Sequence, residues 1–121
     1  NGYLMAEWHF YAAGPSKSND KKRWTTGTAE EKQKIKKSIK VAVDWQKKTG
    51  IYTWVGAWMP GAYNKDDNYS VKEQTEFASF MTQQLDKHGV PFAINADHHF
   101  YDYKAEQWIP KYKDLLNTIF M

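Results

Sequence analysis

Three stretches of the chain alternate or run apolar in the way short strands do, and each is followed by a helical pattern. Tyr3 to Tyr11 (YLMAEWHFY) is strongly β-prone. As a strand it sets Leu4, Ala6, Trp8 and Phe10 on a wholly apolar face. Met5, Glu7, His9 and Tyr11 fall on the other face, which turns polar toward its C-terminal end. Ile51 to Trp58 (IYTWVGAW) and Val90 to Ala96 (VPFAINA) are nearly continuous apolar runs, as expected of parallel strands covered by helices.

The helices between them announce their own ends. Thr28-Ala29-Glu30-Glu31 is a capping box, so a helix should begin there. Ile35, Ile39, Ala42 and Val43 mark its buried stripe, and Gly50 stops it just after Lys47 and Lys48. Ser70-Val71-Lys72-Glu73 is a second capping box. Its helix should bury Val71, Phe77, Ala78, Met81 and Leu85 and end at Gly89. A last helix is expected around Glu106 to Phe120, with Pro110 confined to its first turn.

The resulting order is βαβαβα, an α/β chain with a parallel sheet. The loops after the strands (Ala12 to Gly27, Met59 to Tyr69, Asp97 to Tyr103) are long and rich in polar and aromatic residues. Those after the helices are short. That asymmetry is expected where function sits at the C-terminal edge of the strands, in an α/β barrel or an open α/β sheet.

Composition narrows the function classes. The chain has 121 residues, 41% hydrophobic and 26% charged, which suits one globular domain. No apolar run approaches the roughly 18 residues of a membrane-spanning helix. The absence of cysteine excludes a disulfide scaffold and a thiolate-bound zinc site, and says little about compartment. A formal charge of +3 is too small to imply nucleic acid. Lys32, Lys34, Lys36, Lys37 and Lys40 interleave with acidic residues and read as a solvated helix face. There is no phosphate-cradling glycine loop and no GxSxG elbow, and no cofactor is expected. The unusual feature is the 17% of aromatic residues, with six Trp, eight Tyr and six Phe. Such density suits either a large aromatic core or a surface that stacks on flat ligands such as sugars. The chain opens at Asn1-Gly2 and enters an apolar run at once, like a piece cut from something longer.

Three groups of residues could carry chemistry. Glu7, His9 and Tyr11 share one strand face beside the first long loop. They could manage protons or hold a sugar, or form a satisfied polar cluster. Asp97-His98-His99 invites a metal, but neighbouring residues in an extended chain point apart, and polar loop residues are the better reading. Trp54 and Trp58, with Met59, Tyr63 and Tyr69 beyond, could stack on pyranose faces. Core packing is the better reading for Trp54, and both remain open for Trp58.

At Glu7-Trp8-His9-Phe10-Tyr11-Ala12-Ala13-Gly14-Pro15 the sequence resembles the sixth strand of glycoside hydrolase family 5 cellulases, where a His-x-Tyr motif marks the catalytic cleft. Trp54-Val55-Gly56-Ala57-Trp58 looks like the seventh strand, and the third strand with the last helix resembles the eighth βα unit. The resemblance covers essentially the whole chain, residues 1–121. It implies three consecutive βα units, strands 6–8 of a TIM (β/α)8 barrel, and hence a C-terminal fragment of an incomplete barrel. It further implies an endo-β-1,4-glucanase, extracellular and bacterial, that acts on β-glucan when whole. His9 and Tyr11 would then be substrate-binding residues near the scissile bond, with Tyr11 orienting the nucleophile. The family's nucleophile is a Glu after Val-Gly, and here that position is Ala57. Its acid/base Glu belongs to a strand this chain does not contain. Glu7 is the one obvious alternative carboxylate. The family's Trp at the end of strand eight is not evident near Ile94-Asn95-Ala96, a place Trp58 or Tyr101 could take.

Two readings follow. One is part of a retaining glycoside hydrolase that is inactive alone; the other is a non-catalytic carbohydrate-binding or assembly module of the same fold. Three βα units also leave two open sheet edges and an uncovered face bearing Met5, Glu7, His9, Val55 and Ala57. Such surfaces recruit partners, so self-association or pairing with a missing N-terminal barrel portion is expected.

Overall fold

The computed structural model describes residues 2–10, 24–61, 69–95 and 97–121. Its centre is a parallel sheet of β1 (Met5–His9), β2 (Tyr52–Trp58) and β3 (Phe92–Ile94), in that order. Parallel neighbours need a crossover, and helices α1 (Ala29–Thr49) and α2 (Val71–Lys87) supply it. The strands are shorter than their apolar runs. Tyr3 and Leu4 lie before β1 and are exposed, and β3 keeps only the middle of VPFAINA.

Both helices begin where the capping boxes place them. The Thr28 and Ser70 hydroxyls accept from the Glu31 and Glu73 amides, and those glutamates reach back to the N-cap amides. Helix α1 ends on Gly50 in the left-handed conformation, with φ 72°. The core lies on the helix side of the sheet. Ile35, Ile39 and Val43 of α1 and Phe77, Ala78, Met81 and Leu85 of α2 pack there with Val55 and Trp58. Ala42 and Val71, expected in the stripe, are only partly buried.

After β3 the chain departs from a simple loop and helix. A short helix α3 (Asp97–Phe100) leads into an antiparallel hairpin, β4 (Tyr101–Asp102) with β5 (Gln107–Trp108). The Asp102 carboxylate accepts from the amides of Lys104 and Ala105, and Glu106 turns the tip at φ 51°. The final helix is therefore shorter than its pattern. Pro110 opens a 3₁₀ turn (Pro110–Tyr112), and α4 (Lys113–Phe120) buries Leu115, Leu116 and Ile119 against α2.

Among the described residues β1 and β3 are the sheet edges. Beside β1, Leu4, Met5, Val41, Trp45 and Tyr52 are exposed, and Phe120 and Trp108 are exposed at the other end of the chain. No described helix is long and apolar enough to cross a membrane.

Candidate functional site

Glu7 and His9 sit two apart on β1 and therefore share a face. Their side chains meet, with His9 Nε2 donating to Glu7 Oε1 at 2.8 Å. Both are about half exposed. A pair so open to water adds only about 0–1 kcal/mol to stability. Its importance lies in where it holds the imidazole.

The neighbouring strand explains how two residues on one edge strand can meet. Glu7 pairs in register with Trp54 and Trp8 with Val55, but His9 pairs with Ala57. Strand β2 thus carries an extra residue, Gly56, at a bulge. The Glu7 side chain lies across that glycine. A Cβ built on Gly56 would overlap Oε1 and Cδ of Glu7 and fall 2.5 Å from its Cγ. Beyond the bulge Ala57 stands level with His9, and its carbonyl accepts from the Phe10 amide at 3.0 Å. Glu7, His9 and Ala57 are therefore brought together at the C-terminal end of the sheet.

The bulge also corrects two expectations. Val55 does not share the face of Glu7; it is completely buried on the helix side, and Trp54 and Gly56 take the place expected of it. Trp58 has no exposed surface either. Its ring packs edge-on against Phe77 at 5.9 Å and Phe92 at 5.8 Å, so it offers no face to a sugar. The extra residue turns Trp58 toward the helices, and packing replaces substrate contact as its reading. Its indole N–H, like that of Trp8, is buried without a hydrogen-bond partner among the described residues.

Tyr11 and Tyr63 lie outside the described residues. Tyr101 belongs to a separate group on the terminal hairpin. Its ring stands edge-on to Tyr103 and to Trp108, each at 5.2 Å. Tyr103 and Trp108 are exposed, so the hairpin presents aromatic surface that strand patterning had not singled out. Among the described residues no group of three or more His, Cys, Asp and Glu side chains is placed to hold a metal.

Ala57 does not line either of two hollows formed by the described residues, although Glu7 lines the second. One of 440 Å³ opens between the start of α1 and α2, with Trp24, Lys32, Ser79 and Phe80 in its wall. Another of 310 Å³ lies along the edge of β1, lined by Ala6, Trp8, Val41, Trp45 and Thr53. The first is a groove between helices. The second is apolar and lies beside the exposed Val41 and Trp45.

Gly56 is the site residue that the sequence reading passed over. A glycine inside a strand signals a bulge or a close approach of another group, and both are found here.

No protein-family model and no curated protein sequence matches the chain. Solved structures do. Thermotoga maritima Cel5A, in a mutant form with cellobiose, shares 18% identity at a TM-score of 0.70, over 97% of this chain and 39% of its own. A GH5 family lichenase from Caldicellulosiruptor sp. F32 gives 16% identity and a TM-score of 0.70, over 95% and 33%. The cellulose synthase subunit Z of Clostridioides difficile gives 15% and 0.69, over 97% and 40%. The Thermotoga protein was also solved with mannotriose. The chain thus spans about two fifths of the length of such proteins and has the fold of part of a family 5 glycoside hydrolase barrel.

Proposed function

We propose that this chain is the portion containing strands six to eight of a family-5-like (β/α)8 glycoside hydrolase, acting on β-1,4-glucan by a retaining mechanism when whole. The observation that supports this most is a register. Ala57, which the sequence resemblance assigns to the nucleophile, stands level with His9 of the His-x-Tyr motif on the adjoining parallel strand. The likeness of the fold to part of a GH5 barrel gives that register its meaning.

Retaining hydrolysis needs two carboxyl groups about 5 Å apart, one to attack the anomeric carbon and one to protonate the leaving oxygen. A methyl group at Ala57 cannot attack. The chain therefore binds β-glucan or its oligosaccharides, through His9, Tyr11 and Tyr101, without cleaving them. Insoluble glucans are met outside the cell, and a secreted bacterial protein fits that substrate. The methyl at Ala57 equally favours a second reading, a non-catalytic carbohydrate-binding or assembly module. Ala57→Glu in a full-length barrel, assayed on a soluble cellulose derivative, separates the two. Hydrolysis that appears with the glutamate supports the enzyme; a barrel that binds the polymer and stays inert supports the module.

The exposed apolar surface beside β1 (Leu4, Met5, Val41, Trp45) calls for cover by the rest of such a barrel or by a second copy. Sedimentation at micromolar concentration is expected to show self-association of the isolated chain. A folded monomer there would refute it.

A further inference from the structure

We infer that Gly56 is a positioning residue that acts through Glu7 to fix the orientation and tautomer of the His9 imidazole. That assigns Glu7 to His9 and leaves it unavailable as a replacement for the carboxylate missing at Ala57. Three observations carry this. Glu7 Oε1 accepts from His9 Nε2 at 2.8 Å. The same carboxylate occupies the space where any side chain on residue 56 would begin, overlapping a Cβ with Oε1 and Cδ and crowding it with Cγ. The bulge that places Gly56 beneath Glu7 also sets His9 level with Ala57.

The consequence for His9 is chemical. A carboxylate accepts and does not donate, so the neutral imidazole must carry its proton on Nε2. Its Nδ1 is then the acceptor of the ring. A hydroxyl-rich ligand would meet an imidazole of fixed polarity. Half exposed as it is, the pair contributes little to stability, and the close fit over Gly56 is what holds it in one arrangement. The use of His9 for a sugar rests on the function proposed above; its coupling to Gly56 through Glu7 does not.

The ring-nitrogen resonances of His9 in the ¹⁵N-labelled chain test the coupling, at a pH where the imidazole is neutral. The unaltered chain is expected to give one tautomer, protonated on Nε2. Gly56→Ala displaces the Glu7 carboxylate, so the two ring nitrogens should move away from their positions in the unaltered chain. Glu7→Ala should do the same, and adding Gly56→Ala to Glu7→Ala should change nothing further. A folded Gly56→Ala chain with unaltered His9 resonances would overturn the proposal. So would an equal shift from Gly56→Ala in the Glu7→Ala background, which would make the glycine act without Glu7. Should Gly56→Ala alone fail to fold by circular dichroism, recovery of folding with Glu7→Ala supports the same clash. Failure of both overturns it. Titration with cellotetraose reports separately on function: no response to sugar, with the tautomer locked as expected, counts against the sugar site only.

Discussion

The two sides of strand β2 have been finished to different degrees. Toward the helices, Val55 and Trp58 have no exposed surface and meet Phe77, Phe92 and the aliphatic residues of α1 and α2. On the opposite side Trp54, Gly56 and Ala57 are partly open, and Glu7 and His9 beside them are half exposed. A surface layer of helices can be completed by three βα units, because each helix packs on its own strands. The inner face of a barrel needs strands from all around the ring. The difference therefore separates a face closed by the chain's own helices from one that stays partly open to water.

The largest effect that could break this comparison comes from Phe77. It is fully buried and stands edge-on to both Trp24, at 5.3 Å, and Trp58. Phe77→Ala should cost about 3–5 kcal/mol, a large share of the roughly 5–15 kcal/mol that holds a domain folded. Trp54→Ala, on the open side, should cost clearly less although it removes a larger ring, since part of that surface is already in water. Urea denaturation of both variants measures the contrast. Equal losses would mean that the open face is stabilised as strongly as the core.

The helix side was also the more legible side in the sequence. Its signals are local: two capping boxes, Gly50 as a stop and stripes at helical spacing all fix structure within a turn or two. The open face depends on a bulge, and a bulge is a relation between two strands. Nothing in IYTWVGAW by itself says that the residue opposite His9 is Ala57, or that Val55 and Trp58 both face the helices. Strict alternation through Gly56 gives the wrong side for Val55. The terminal hairpin was missed for a related reason. Its strands have two residues each, too few for any periodicity, and its tip rests on the Asp102 turn and a positive φ at Glu106. The fold's likeness to part of a glycanase barrel, by contrast, was visible in the order of motifs, because order survives where pairing geometry does not.

The smallest expected effect sharpens the comparison at the start of α1, where the helix layer is closed by charge as well as packing. Burial pushes the Glu31 carboxyl up, but hydrogen bonds from Thr25 (hydroxyl and amide), Thr28 and Gly27 outweigh it and hold the group below its ordinary value of 4.5. A carboxylate lowered on folding stabilises the native state at pH values above its unfolded value. That contribution is lost as the pH falls from about 4.5 through the lowered folded value. Glu31→Ala should therefore cost about 1 kcal/mol at neutral pH, the usual worth of a cap, and much less in acid. Glu30 and Asp44, held down mainly by hydrogen bonds from Lys34 and Lys40, remain in the variant, so the acid sensitivity of the chain should shrink without vanishing. Urea midpoints of the two chains, followed from neutral pH to below 4, should converge as Glu31 is protonated. A difference that stays constant across that range would show that Glu31 acts through packing alone, and that the helix side owes its closure at this end to contact and not to charge.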